Sequence, residues 1–151
     1  MRKPNGVDAD ATAGTPRRPD GSSGGEGPRV LLVDDNLPLR RQLNELLTDY
    51  GIEVVGEAAN GPDGLALSER LHPDVVVMDY RMPGHLNGIA TTREIINRLP
   101  RTQVVLLSVY DDPVLVSQAR DAGAVAYVVK GTPTVHLVDA LTRAWEGRGA
   151  A

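Results

Sequence analysis

The sequence predicts an α/β fold in which helices cover both faces of a five-stranded parallel sheet. Three observations predict it. Five short apolar runs, rich in valine and leucine, recur between residues 29 and 129. Each run is followed by a stretch with apolar residues at helical spacing. Most of these stretches open on Asn, Asp or Thr with Pro one or two residues later, as helix starts do. This alternation implies right-handed βαβ units.

The first two units occupy residues 29–71. A buried strand is predicted for Arg29–Val33, and Asn36 with Pro38 starts a helix that Gly51 ends. The second strand is predicted at Glu53–Glu57, and the sequence Asn-Gly-Pro at residues 60–62 opens the second helix. The apolar face of the first helix is expected to comprise Leu39, Leu43, Leu46, Leu47 and Tyr50.

Three more units follow, and their strands are the most apolar. Four consecutive apolar residues in the third strand indicate a central position, covered on both faces. The predicted strands are Asp74–Asp79, Gln103–Ser108 and Val125–Val129. The predicted helices are Gly88–Leu99, a helix from Asp112 to Gly123, and a last one opened by Thr132 and Pro133.

The composition divides the chain into one domain and two tails. Residues 1–28 hold six glycines and four prolines, so they bury too little apolar surface to order, and we expect a disordered tail. The folded domain is expected at residues 29–147, and residues 148–151 form a short C-terminal tail.

Several classes of protein are excluded by composition. A formal net charge of −4 argues against a nucleic-acid-coating protein. The absence of cysteine excludes disulfides and thiolate metal sites. Since no apolar stretch approaches about 18 residues and no secretory signal is recognisable, we expect a cytoplasmic protein without a membrane span.

Polar residues stand where the predicted strands end. Asp34 and Asp35 follow the first strand, Asp79 and Ser108 end the third and fourth, and Lys130 follows the fifth. In a doubly wound, flavodoxin-like (βα)5 three-layer sandwich, with strand order 2-1-3-4-5, such ends meet where ligands bind. Three carboxylates there would repel one another unless a cation joined them, and oxygen ligands of this kind suit Mg²⁺.

The same residues suit phosphoryl transfer. A carboxylate such as that of Asp79 can be the nucleophile, forming an aspartyl phosphate. The ammonium of Lys130 and a divalent ion can neutralise the phosphoryl oxygens, and the Ser108 hydroxyl can donate a hydrogen bond to them. The chain has only two lysines, and Lys3 lies in the predicted tail.

Four segments together resemble the receiver domain of two-component response regulators. Each lies at the end of its expected strand, and the resemblance covers residues 29 to about 147. The segments are Leu32-Val33-Asp34-Asp35-Asn36, Met78-Asp79-Tyr80-Arg81-Met82-Pro83-Gly84, Leu107-Ser108 and Ala126-Tyr127-Val128-Val129-Lys130.

The resemblance implies a metal site built around the phosphoacceptor. Asp79 would accept the phosphoryl group. Asp35, Asp79 and the backbone carbonyl of Arg81 would bind Mg²⁺, and Asp34 would bind it directly or through water.

The resemblance also implies a switch. Lys130 would pair with the phosphoryl group, and Ser108 would be drawn toward it. Tyr127 stands at the aromatic switch position and would turn into the space that the moving loop vacates. These changes would shift the population of conformers at the fourth helix and fifth strand.

Some residues depart from the family pattern. The loop 84–87 is one residue longer than usual. Val109 is bulkier than the Ala or Gly often found there and is expected to narrow access to the phosphoryl group. Arg81 and Tyr110 occupy positions that tune hydrolysis, and two large side chains there predict slow dephosphorylation.

The segment Gly131-Thr132-Pro133 resembles receivers of the LuxR type, which usually precede a helix-turn-helix. Too few residues follow the last helix to form a helix-turn-helix domain. We therefore expect either a single-domain regulator or a receiver whose effector domain was removed, and we favour the second. The expected partner is a sensor histidine kinase, and a homodimer with a second copy stays open. Leu137, Leu141, Ala144 and Trp145 lie on one apolar face of the last helix. This face is expected to pack into the core, but Leu137, Leu141 and Trp145 could instead support a dimer face. We expect neither direct nucleic-acid binding nor membrane contact.

The function expected from these features is a phosphoacceptor switch that controls an output, transcription being favoured. It would not be a metabolic enzyme, because it would catalyse only its own phosphorylation and dephosphorylation. Two alternatives stay open. One is a flavodoxin-like cofactor binder, although the acids after the first strand would repel a phosphate. The other is an interaction module that works without phosphorylation.

Overall fold

The computed structural model describes residues 27–84 and 86–147. The strands are β1 (Arg29–Val33), β2 (Glu53–Ala58), β3 (Val75–Asp79), β4 (Gln103–Ser108) and β5 (Ala126–Val129). The helices are α1 (Leu37–Asp49), α2 (Gly61–Leu71), α3 (Gly88–Arg98), α4 (Pro113–Asp121) and α5 (Thr134–Gly147). The strands form one parallel sheet in the order β2-β1-β3-β4-β5, which confirms the predicted fold class and strand order.

Two separate apolar cores flank this sheet, because alternate strand residues point to opposite faces. Helices α1 and α5 cover one face, and α2, α3 and α4 cover the other. The buried residues of the first core are Val30, Leu32, Leu43, Leu47, Ile52, Val75, Val77, Val105, Leu107, Val128, Leu137, Leu141 and Ala144. Those of the second are Leu31, Val33, Ala58, Val76, Met78, Ile89, Ile95, Val104, Leu106, Ala119, Ala122 and Ala124.

Side-chain caps start three helices, α1, α2 and α4, where the sequence predicted them. The Asn36 side chain accepts a hydrogen bond from the Leu39 amide at 3.0 Å, and Asn60 and Asp112 cap α2 and α4 in the same way. Asn87 caps α3, accepting from the Ala90 amide at 2.9 Å. These caps place the helix starts at the edge of the sheet where the strands end.

Several element bounds and the position of one side chain differ from the sequence predictions. Strands β3 and β5 each begin one residue later than predicted, at Val75 and Ala126, and α3 ends one residue earlier, at Arg98. Strand β2 runs one residue further, because the Ala58 carbonyl accepts a hydrogen bond from the Asp34 amide at 2.9 Å. Tyr50 is 53% exposed, so it does not belong to the buried face of α1. Leu137 and Leu141 pack against the sheet, with 4% and 0% exposure, which agrees with the expected core face and excludes the alternative of a dimer face at these residues.

The two predicted tails lie outside the described residues, apart from residues 27 and 28. Over the described ranges, the structure has no helix long and apolar enough to cross a membrane.

Candidate functional site

The strand order brings the polar strand ends to one edge of the sheet. Asp79 is the last residue of β3, which lies between β1 and β4. Asp34 and Asp35 follow β1 directly, and Ser108 is the last residue of β4. Lys130 follows β5, and its amide donates to the Ser108 carbonyl at 2.7 Å. The five polar residues predicted at the strand ends therefore lie together at the same edge of the sheet.

Three carboxylates form the centre of this site. Oxygen atoms of Asp34, Asp35 and Asp79 lie within 4.8 Å of one another. Asp34 and Asp79 are buried, with 3% and 5% exposure, whereas Asp35 is exposed. The Asp34 carboxylate is held by its own loop, since Oδ1 accepts from the Asn36 amide at 2.8 Å. The cluster is therefore open to solvent on the side of Asp35.

Lys130 is the ion-pair partner of two of these acids. Its Nζ lies 3.0 Å from Oδ1 of Asp79 and 3.3 Å from Oδ2 of Asp34. Burial lowers the pKa of the Lys130 ammonium, but the hydrogen bond and charge of Asp79, followed by those of Asp34, outweigh burial and raise it. Lys130 therefore stays charged in the pocket.

The Asp79 carboxyl holds its proton more tightly than an ordinary aspartate. Burial is the largest cause, and the charges of Asp34 and Asp35 act in the same direction, whereas the hydrogen bond and charge of Lys130 oppose them. The balance raises the pKa of Asp79 to about 6. Negative charge at this position is therefore costly without a further cation.

The chemistry of the donor set fits Mg²⁺. Three carboxylates face one ammonium, so the cluster keeps an excess of negative charge after Lys130 is counted. Hard oxygen donors in an open pocket suit Mg²⁺, which keeps several water ligands and binds one or two protein carboxylates. The positions of Asp34, Asp35 and Asp79 therefore agree with the expected metal site.

A chain of hydrogen bonds leads from Ser108 to Tyr127. The buried Ser108 hydroxyl oxygen accepts from the Tyr110 amide at 3.1 Å. The Tyr110 carbonyl in turn accepts from the Tyr127 hydroxyl at 2.5 Å. A displacement of Ser108 is thus connected, through the backbone of one residue, to the phenol of Tyr127.

Arg81 and Tyr110 close one wall of the pocket. Arg81 Nη1 donates to the Tyr110 hydroxyl at 2.7 Å. The Tyr110 ring also meets Tyr80 edge-on, with centroids 6.3 Å apart. Val109 is 60% exposed. The adjoining groove has a volume of about 720 Å³ and is lined by Asp35, Tyr80, Arg81, Met82, Pro83, Asn87, Tyr110, Asp112 and Leu115.

Gly88 was predicted only as the start of a helix, but it also packs against the end of β3 at the site. Its amide donates to the Tyr80 carbonyl at 2.9 Å. A Cβ at this position would collide with the carbonyl oxygen of Asp79. Glycine therefore allows the start of α3 to approach the end of β3. The sequence signal that could have indicated this role is the position of Gly88 between the cap residue Asn87 and an apolar helix.

Arg40 and Glu57 were also missed. Arg40 Nη1 donates to the Asp34 carbonyl at 2.6 Å, and Arg40 Nε lies 2.9 Å from Glu57 Oε1. Neither residue belongs to a recognisable motif, and 17 positions separate them. Only the packing of α1 beside β2 brings them together at the acidic pocket.

Residues 30–142 match the family of response regulator receiver domains, so this chain belongs to that family. It is 37% identical over 117 residues to the chemotaxis protein CheY of Thermotoga maritima, covering 78% of this chain and 97% of CheY. It is 36% identical over 121 residues to the response regulator GacA of Pseudomonas aeruginosa, covering 80% of this chain and 56% of GacA.

A third relative is the transcriptional regulatory protein PdtaR of Mycobacterium tuberculosis, which is 37% identical over 136 residues. The match covers 90% of this chain and 60% of PdtaR. The chain thus spans little more than half the length of GacA and of PdtaR.

Solved structures with the same fold include two response regulators. One is a LuxR-family regulator from Aurantimonas, with a TM-score of 0.77 and 31% identity, covering 82% of this chain and 88% of that chain. The other is the signal receiver domain of NarL from Mycobacterium tuberculosis, with a TM-score of 0.76 and 35% identity, covering 81% and 98%.

Proposed function

We propose that this receiver domain is the phosphoacceptor switch of a two-component phosphorelay. Asp79 takes a phosphoryl group from the phosphohistidine of a sensor kinase. The observation that supports this most strongly is the position of Asp79, buried beside two further acids and 3.0 Å from the ammonium of Lys130. A carboxylate in this setting has a cation to offset incoming phosphoryl charge and an open side, next to Asp35, for the donor to approach.

Mg²⁺ is the proposed cofactor. Asp35, Asp79 and the backbone carbonyl of Arg81 would hold it, and Asp34 would hold it directly or through a water molecule. When bound, the ion supplies positive charge for the phosphoryl oxygens. Among the protein groups, the carboxylates of Asp34 and Asp35 recruit the cation, while Lys130, paired with Asp34 and Asp79, offsets the repulsion between those two acids.

The transfer step uses the Asp79 carboxylate as nucleophile. One carboxylate oxygen forms a bond to phosphorus while the bond from phosphorus to the imidazole nitrogen of the donor breaks. The electron pair of that bond returns to the imidazole, and an acyl phosphate remains on Asp79. Lys130 offsets the charge of the transferred group, and the Ser108 hydroxyl donates a hydrogen bond to it.

The switch follows from the hydrogen bonds beyond Ser108. When Ser108 turns toward the phosphoryl group, its hydroxyl oxygen leaves the Tyr110 amide, and the backbone of Tyr110 moves with the loop. Tyr127 follows, because its hydroxyl is bonded to the Tyr110 carbonyl. Phosphorylation thereby shifts the population of conformers at α4 and β5, which is where a partner would detect it.

The proposed output is transcription. Similarity to GacA and to the transcriptional regulatory protein PdtaR supports this output. Similarity to a LuxR-family regulator also supports the proposal that the domain belongs to the LuxR-type subfamily. We propose that the domain spans residues 29–147, works in the cytoplasm, forms homodimers when phosphorylated, and acts through an effector domain or a separate protein rather than on nucleic acid itself. Beyond its own phosphorylation and dephosphorylation it catalyses no reaction.

Phosphorylation by a small donor tests the proposal. The chain is incubated with acetyl phosphate and MgCl₂, and the added phosphoryl group is followed by intact mass spectrometry. We expect one phosphoryl group on the wild type and on Asp139→Asn, a control at an exposed acid of α5. We expect none on Asp79→Asn. Equal phosphorylation of Asp79→Asn would refute Asp79 as the acceptor. A wild type that neither accepts phosphate nor binds Mg²⁺ would refute the proposal and favour the phosphorylation-independent module.

A further inference from the structure

Arg40 connects α1 to the backbone of the metal pocket. Its guanidinium donates to the carbonyl oxygen of Asp34 at 2.6 Å. This carbonyl lies just beyond the end of β1, while the amide of the same residue still pairs with Ala58 at 2.9 Å. Arg40 therefore holds the chain at the point where it leaves the sheet and turns through Asp34 and Asp35.

Glu57 holds Arg40 in this position. Glu57 Oε1 lies 2.9 Å from Arg40 Nε, and its second oxygen accepts from the Asn44 side chain at 2.9 Å. Both oxygens of the carboxylate are thus used, and the Arg40 side chain is only 12% exposed. The guanidinium fork is directed at two acceptors at once, a geometry that lysine cannot reproduce.

Glu57 is ionised in this arrangement. Burial alone would raise the pKa of its carboxyl, but the hydrogen bonds from Asn44 and Arg40 and the charges of Arg40 and Arg41 together lower it. The pair of Arg40 and Glu57 is therefore a charged, partly buried bridge from β2 through α1 to the pocket.

We propose that Arg40, anchored by Glu57, is a positioning residue for Mg²⁺: it fixes the Asp34 backbone and so the direction in which Asp34 and Asp35 present their carboxylates. This inference rests on the proposed function, because it takes the acid cluster as the metal site. Partners that orient metal ligands in this way commonly change metal affinity by about tenfold or more when removed.

For Arg40, electrostatics alone predicts the opposite effect, which makes the inference testable. Arg40 is a positive charge beside a site for a cation, so its removal should strengthen Mg²⁺ binding if only charge mattered. Glu57 is a negative charge near the same site, so charge and positioning both predict weaker binding when it is lost, and only the Arg40 variants distinguish the two. Positioning predicts weaker binding in both cases.

The experiment measures Mg²⁺ affinity by titrating MgCl₂ into the ¹⁵N-labelled full chain and following the amide signals that move. The variants are Arg40→Met and Glu57→Gln. Arg41→Met is the matched control for charge, since Arg41 is the next residue of α1 and is exposed. Glu69→Gln controls for the acid, because Glu69 pairs with Arg98 at 3.2 Å on the exposed surface.

We expect Arg40→Met to raise the Kd for Mg²⁺ by about tenfold. Glu57→Gln should raise it several-fold, while Arg41→Met and Glu69→Gln stay close to the wild type. Far-UV circular dichroism confirms that each variant is folded. If Arg40→Met does not fold, Arg40→Lys replaces it, with weaker binding again expected because the fork is lost.

The results separate this inference from the proposed function. A wild type that binds no Mg²⁺ at millimolar concentration contradicts the proposed function itself. A wild type that binds Mg²⁺, together with an Arg40→Met or Arg40→Lys protein that binds it as tightly as Arg41→Met does, contradicts only the positioning role of Arg40.

Discussion

The Nζ atom of Lys130 lies 3.0 Å from Oδ1 of Asp79, although Asp79 ends β3, Lys130 follows β5, and β4 lies between these two strands. The lysine side chain therefore crosses the end of one strand to reach the acid. The same ammonium also lies 3.3 Å from Asp34, so one cation joins the ends of β1, β3 and β5. In the proposed mechanism, this ammonium offsets the charge of the phosphoryl group.

Replacement of Lys130 by Gln should slow phosphorylation strongly. Loss of a single group that stabilises developing charge typically costs about 100-fold in rate. The rate of phosphoryl transfer from acetyl phosphate, followed by intact mass spectrometry at saturating MgCl₂, measures this effect. Arg143→Gln is the control, because Arg143 is a cation of α5 whose side chain is 78% exposed. An unchanged rate in Lys130→Gln would show that Lys130 has no role in the transfer.

Replacement of Asp79 by Asn should stabilise the metal-free protein above pH 6. Folding raises the pKa of Asp79 from 3.8 to about 6, so the folded state binds this proton more tightly than the unfolded state. The wild type therefore loses stability as pH rises through that range, by an amount on the order of 3 kcal/mol. The side-chain amide of the Asp79→Asn variant stays neutral at every pH, so the variant does not lose stability in this way.

Thermal melting in EDTA at pH 5 and at pH 8 measures this difference. The melting temperature of Asp79→Asn should exceed that of the wild type by more at pH 8 than at pH 5. Asp139→Asn, at an exposed position, should show no such dependence. An advantage for Asp79→Asn that is the same at both pH values would contradict the proposed burial of charge.

Arg81 and Tyr110 should lengthen the life of the phosphorylated state. Their hydrogen bond of 2.7 Å closes one wall of the pocket, which restricts the approach of water. Tyr110→Phe should therefore dephosphorylate several-fold faster than the wild type after removal of the donor. Arg81→Met should have a similar effect, and the double variant should be no faster than either single variant because both break the same contact. Additive effects would show that the two side chains act separately.

Tyr127→Phe should separate phosphorylation from the conformational response. The substitution removes only the hydroxyl that donates to the Tyr110 carbonyl. We expect phosphorylation at the wild-type rate, but smaller changes in the amide signals of α4 and β5 when beryllofluoride is added. Tyr50→Phe is the control, because Tyr50 lies exposed at the end of α1. A full response in Tyr127→Phe would exclude this hydrogen bond from the switch.

The fold could be predicted because its determinants are local. Strands β1 and β4 have the predicted bounds, because a polar residue marks the end of each apolar run. Asn36 and Asn60 cap α1 and α2, as expected for asparagine at a helix start. The grouping of the acids followed from the fold, because parallel strands end at one edge. Tyr50 was assigned to the wrong face because α1 ends there, and beyond the last turn helical spacing no longer decides direction.

The contacts between distant elements could not be predicted. Arg40 and Arg41 are neighbouring arginines on the polar part of α1, and nothing in the sequence distinguishes them. Only the position of Glu57 on β2 shows that Arg40 is the one that forms the ion pair. The bond from Tyr127 to the Tyr110 carbonyl depends on the path of the loop after β4, for which sequence offers no periodicity. Such contacts arise from tertiary packing.

Chemical mapping of the phosphorylated residue tests the central claim most directly. Borohydride reduces an aspartyl phosphate to homoserine, which marks the acid that received the phosphoryl group. After reaction with acetyl phosphate and MgCl₂, reduction and peptide mass spectrometry should locate homoserine at position 79 and at no other acid. Homoserine at the position of Asp34 or Asp35, or none at position 79 in protein whose mass shows phosphorylation, would contradict the assignment of Asp79 as the phosphoacceptor.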